Sequence, residues 1–91
     1  MSFAKRNFGF CLAVVDNGFV YVGDVQHDGE GYYIITDCKN VRKAGTTKGF
    51  GQIAYGGPTG ETELDPSPHV LVPEGRMCHI MECVADKWGR K

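Results

Sequence analysis

The chain has 91 residues, 42% of them hydrophobic, and a formal charge of −1. That length encloses one core, so residues 1–91 read as a single domain, with a core over 7–84 and a basic tail over 85–91. Near neutrality excludes a general nucleic-acid coat protein, and no stretch approaches the ~18 apolar residues of a membrane span. Met1–Arg6 carries no signal-peptide pattern, so a soluble cytoplasmic protein is expected.

Phe8–Val15 is the first apolar run and predicts a strand. Asp16-Asn17-Gly18 follows, and Asn-Gly between apolar runs predicts a type I′ hairpin turn. Phe19–Gln26 reads as the second strand, with Phe19, Tyr21 and Val25 on one face. Val20, Val22, Asp24 and Gln26 occupy the other, which turns polar towards its end. After a turn at 27–31, Tyr32–Cys38 is β-branched and aromatic, a third strand that continues through Lys39–Lys43 past a bulge near Lys39-Asn40. Thr46 or Thr47 is placed to N-cap a short helix over Gly49–Tyr55, with Gly56 at its C′ position. Phe50, Ile53 and Ala54 share one face of it. Gly49 and Gly51 weaken that helix and point to something packed close against it. Pro58–Pro68 reads as a loop, and His69–Val72 and Met77–Val84 as the last strands. Trp88, in the basic tail, reads as a docking anchor. The sum is a mainly β fold, a small, strongly bent antiparallel barrel of five or six strands in the Sm-like, SH3-like or OB manner, with one short inserted helix.

Four cysteines without an export signal predict buried thiols rather than disulfides. Cys78, His79 and Cys83 are the sharpest metal candidates, but adjacent strand residues face opposite sides, so no metal is expected. No other cofactor is expected. Cys11 with His27, His69 or His79 lacks the setting of a nucleophile, and Glu61, Glu63 and Asp65 read as a solvated acidic loop, so no enzyme is expected.

The segment from Arg42 to Gly60 combines cations, hydroxyls, aromatics and glycines. Between Cys38 and Gly60 stand Lys39, Arg42, Lys43 and Lys48 with no acid. No Walker loop is present. Even so, Arg42, Lys43 and Lys48 are placed to neutralise phosphate, Thr46, Thr47 and the Gly49 amide to donate hydrogen bonds, and Phe50 or Tyr55 to stack on a base. These eight residues form the candidate ligand site for an anionic small molecule, a nucleotide in particular.

Gly45-Thr46-Thr47-Lys48-Gly49-Phe50-Gly51-Gln52-Ile53-Ala54, then Gly57-Pro58-Thr59 and Leu64-Asp65-Pro66, resemble a family of short uncharacterised bacteriophage and prophage proteins. The upstream Asn40-Val41-Arg42-Lys43 matches its Asn-x-Arg-basic segment, and the likeness runs from about Phe10 to Cys83. Many relatives place a Trp-containing segment after the basic pair, where this chain has Ala44-Gly45. The resemblance implies phage origin and a small β-barrel acting in the host cytoplasm. By analogy it implies a counter-defence role, above all an oligomeric sponge for a cyclic-nucleotide immune signal. The alternatives are an inhibitor or adaptor of a host immune protein, docking through a sheet edge or the Trp88 tail, and an Sm-like nucleic-acid-binding ring. A homo-oligomer paired through sheet edges is expected.

Overall fold

Three long antiparallel strands carry the structure, a computed structural model that describes residues 6–16, 18–46 and 49–89. They are β1 (Arg6–Val15), β2 (Val20–His27) and β3 (Tyr32–Lys43). Three short strands follow: β4 (Glu63–Pro66), β5 (Val70–Pro73) and β6 (Met77–Glu82). A seven-residue helix, α1 (Phe50–Gly56), lies between β3 and β4. The sheet order is β4-β3-β2-β1-β6, and β5 also pairs with β3. No pairing joins β6 to β4 or β5 among the described residues, so the six-stranded sheet is open where a closed barrel was expected.

The centre of β1 explains the core. Cys11, Leu12 and Ala13 are consecutive and all fully buried, so both faces of the strand are covered. Its unbroken apolar run is what such a strand needs. On one face Cys11, Ala13, Val15, Val25, Ile35 and Val72 pack together. On the other, Leu12, Val20, Val22 and Val41 meet Ile53 and Ala54 of α1. The expected apolar face of the helix is therefore the one that is buried. Beyond Val22 the second face opens, and Gln26 is exposed.

Several local expectations are corrected. Val15 N–H donates to Phe19 O at 2.9 Å, which leaves three residues in the first loop instead of two. Gly18 takes φ +89 there, as the last position of a three-residue hairpin loop requires. The β3 bulge lies two residues earlier than expected. Asp37 has φ +48, and the register jumps from Asp24 opposite Thr36 to Val22 opposite Lys39. Asp tolerates that conformation, and the partner strand supplies Gly23, where a Cβ would run into Cys38. The bulge sits where a missing side chain makes room for it.

The N-cap of α1 is Gly49 and makes no side-chain hydrogen bond, so Thr46 does not cap it. Thr47 and Lys48 lie outside the described residues. The C-cap is Gly57, one position later than expected. A Cβ at Gly49 or Gly51 would meet nothing within 4 Å, so among the described residues no segment packs against the helix there. The loop expected over 58–68 contains β4, whose alternating Glu63-Leu64-Asp65 turns Leu64 onto the core.

Candidate binding surfaces

Arg42 and Lys43 end β3, and antiparallel pairing decides what faces them. The register sets Asn40 opposite Asp65 and Lys43 opposite Glu63. The Arg42 guanidinium reaches Glu63 Oε1 at 2.6 Å and Asp65 Oδ2 at 2.9 Å. Lys43 Nζ lies 3.8 Å from Glu61 Oε2. The hydrogen bond and charge of Asp65, then the charge of Glu63, raise the Arg42 pKa further above its ordinary value. The segment without acids in the linear sequence is thus matched by carboxylates across the ladder. All these side chains are largely exposed, so solvent screens the pairs, which stay exchangeable and add little to stability.

The turn into α1 is held by two threonines that sequence reasoning passed over. Thr62 Oγ1 donates to Ala44 O at 2.6 Å, and Thr59 Oγ1 donates to Gly45 O at 2.8 Å. Gly45 is needed because its φ is +64 and a Cβ there would run into the Glu61 backbone. Of the proposed stacking residues, Phe50 is half-buried against the core while Tyr55 is 80% exposed. Five positions apart on a helix, they point about 140° apart and cannot share a ligand. Arg42, Lys43, Thr46, Gly49, Phe50 and Tyr55 thus follow one another from the end of β3 through α1, with Thr47 and Lys48 outside the described residues.

A second surface was not anticipated. A groove of about 460 Å³ is lined by Val15, Asp16, Phe19, Tyr21, Arg76 and all four residues of β5. Successive strand residues face opposite sides, so a groove touched by four in a row runs along the edge of β5. Its rim is apolar and open to solvent, with Phe19 54% and Leu71 64% exposed. Phe19 stands edge-on to Tyr21, ring centroids 6.4 Å apart. One end is closed by Arg76, whose Nη1 lies 3.5 Å from Asp16 Oδ1. In the sequence, Leu71 read as one residue of an apolar strand, with nothing local to mark it as exposed.

Trp88 is not free to dock. Its Nε1–H donates to Ile53 O at 3.0 Å, and its ring stands edge-on to Phe10 at 5.9 Å. Cys78 and His79 are exposed on β6, and burial raises the thiol pKa of Cys11 to about 11 and of Cys83 to about 12. Among the described residues no three His, Cys, Asp or Glu side chains are grouped to hold a metal ion. No described helix is long and apolar enough to cross a membrane.

Comparison with family models, with curated proteins and with solved structures finds no match for this chain. The resemblance to phage proteins therefore stays a resemblance of short sequence motifs.

Proposed function

We propose that the protein is a non-catalytic binding module that captures an extended segment of a partner protein along the open edge of β5. The observation that carries this reading is the edge groove itself, with Phe19 and Leu71 exposed on a sheet that does not close. An added strand finds backbone partners on such an edge, and pockets for alternate side chains give it specificity. Here the incoming strand would supply the missing wall of the barrel, setting an apolar side chain against Phe19, Tyr21 and Val70. The raised pKa values of Cys11 and Cys83 support a binding role, because a protonated thiol is a poor nucleophile.

Selection from a displayed library of short random peptides tests this. Enriched peptides should alternate apolar and polar residues and lose about tenfold in affinity on Leu71→Asp or Phe19→Asp, the loss of one buried apolar contact. Both positions are exposed, so neither change threatens the fold. Failure to enrich any peptide, or binders indifferent to both substitutions, would overturn the reading. The same edge suits a second copy of the chain, and we propose self-association there. Sedimentation showing only a 10.0 kDa species at micromolar concentration would remove it.

A second reading keeps the counter-defence sponge for a cyclic nucleotide. It is favoured by α1, whose N-terminus has no side-chain cap and lies just beyond the Arg42–Lys43 end of β3 in the chain. Phosphate would take Arg42 and Lys43 from their exposed carboxylate partners. Calorimetry against cyclic di- and trinucleotides decides it, and absence of heat with all of them discards the sponge.

A further inference from the structure

On the face of the sheet covered by α1 lies a recess of about 330 Å³ that shares no residue with the β5 groove. Its walls are Phe10, Val22, Pro58, Leu64 and Trp88, and the exposed Asp37 and Lys39 complete its lining. The volume is at the lower end of the range of about 300–1,000 Å³ for small-molecule sites. An apolar cavity of about 150 Å³ takes up one benzene ring, so this one has room for about two.

The recess stays open because the segment that carries Trp88 is pinned to α1. Trp88 Nε1–H donates to Ile53 O at 3.0 Å, and Val84 N–H donates to Ala54 O at 2.9 Å. Between these two residues, the Lys87 carbonyl lies so near Gly57 that a Cβ there would run into it. Gly57 has φ +88, so a missing side chain serves both the backbone turn and the close approach. The indole is therefore oriented before any ligand arrives, as in preformed small-molecule sites.

Two walls are aromatic. The Trp88 and Phe10 rings stand edge-on, 5.9 Å apart at 74°. A further ring beside them gains offset or edge-on contacts that a saturated group of the same shape lacks. The two charged lining residues, in contrast, select no charge. Asp37 and Lys39 are opposite in sign, and Asp37 already has an interaction of its own. An ionic ligand would be drawn to one and repelled by the other, and would give up hydration to enter an apolar body.

We propose that this recess binds an uncharged aromatic small molecule of about two fused rings, the size its volume admits. The rings enter between Phe10, Val22, Leu64 and Trp88, and a polar substituent stays at the solvent side. This site is independent of strand capture along β5, and either stands without the other.

The probe is β-naphthol, neutral at pH 7. Titration should move the methyl NMR signals of Val22 and Leu64 upfield and saturate with a Kd of about 1 mM, a range open to so small a ligand. Decahydronaphthol, the same skeleton without aromatic rings, should bind about fivefold more weakly, the worth of one ring–ring contact. The anion naphthoate and the cation naphthylmethylamine should bind no more tightly than β-naphthol. Lys39→Gln and Asp37→Asn should leave β-naphthol affinity unchanged, Asn being tolerant of positive φ. Leu64→Trp, which fills the recess, should abolish it. The proposal is overturned by no saturable shift at millimolar β-naphthol, by shifts at Phe19 and Leu71 in place of Val22 and Leu64, by decahydronaphthol binding equally well, or by either ion binding more tightly. The compound series uses the unaltered protein, so a misfolded variant cannot mask that result.

Discussion

His27 is a buried polar side chain, 7% exposed, and its hydrogen bonds fix its chemistry. Gly29 N–H donates to Nδ1 at 2.9 Å, so that nitrogen carries no proton. The proton sits on Nε2, which donates to Glu74 Oε2 at 2.8 Å. The ring also stands edge-on to Tyr33 at 4.9 Å, so one side chain joins the β2–β3 turn to the connection between β5 and β6. Removing the imidazole would leave both the Gly29 amide and a cavity. His27→Ala should therefore cost about 2–3 kcal/mol in urea unfolding. Glu74 is half-exposed and Gln keeps an acceptor, so Glu74→Gln should cost less than about 1 kcal/mol. Equal effects would show that the contact with Glu74, and not the buried ring, holds the turn. Asp28 stabilises the same turn from outside, accepting from Glu30 N–H at 2.7 Å and Tyr32 N–H at 3.1 Å. The bond from Glu30 N–H is the main reason its carboxyl pKa is lowered.

At the scale of elements, β3 does the organising. It is twelve residues long and carries two short strands on one edge: Ile35 is the last residue opposite β5, and Lys39 the first opposite β4. The Asp37 bulge lies between the two. At the other end of the chain, a 3₁₀ turn over Ala85–Trp88 returns to α1, where Val84 N–H donates to Ala54 O at 2.9 Å. Trp88 closes that contact with a ring and a hydrogen bond, and the two are separable. Trp88→Phe keeps the ring packing on Phe10 and should cost about 1 kcal/mol, the worth of one hydrogen bond. Trp88→Ala loses both and should cost about 3 kcal/mol, with α1 loosened first. Hydrogen exchange at Ile53 and Ala54 would show whether the helix is the element released.

For the whole molecule, two thin apolar clusters on opposite faces of one sheet make the core, and thiols belong to both. Burial, then Glu82 and Asp24, raises Cys11 from the ordinary thiol value of 9.0 to about 11. Burial, then Cys11, takes Cys83 from 9.0 to about 12. The folded state thus holds thiol protons that the unfolded state releases above pH 9, so unfolding becomes more favourable as pH rises. This part of the stability is complete below about pH 9 and declines between there and pH 11–12, the span between unfolded and folded pKa values. Urea midpoints measured from pH 8 upwards should fall, and fall less steeply when Cys11 and Cys83 are both replaced by Ala. At pH 8 iodoacetamide should modify exposed Cys78 first, with Cys11 reacting only on unfolding.

Much of this fold was legible without coordinates. Continuous apolar residues at Phe10–Val15, β-branched and aromatic ones at Tyr32–Ile35, and Gly18 after a turn marked the strands and first hairpin, because hydrophobic spacing and backbone freedom are local properties. The apolar face of α1 was legible for the same reason. β4 was not, since four residues with two acids and a terminal Pro carry too short an alternation to separate from a loop. Nor was the bulge, which depends on Gly23 standing opposite Cys38. The candidate site shows the division most clearly. Counting charges along the chain finds no acid between Cys38 and Gly60, while β3–β4 pairing sets Glu61, Glu63 and Asp65 beside Arg42 and Lys43. Spacing along the backbone determined which segments become strands. Which charges cancel, which edge stays open and which side chains share a recess were decided by contacts between residues far apart in the chain, because electrostatics and exclusion of water act through space.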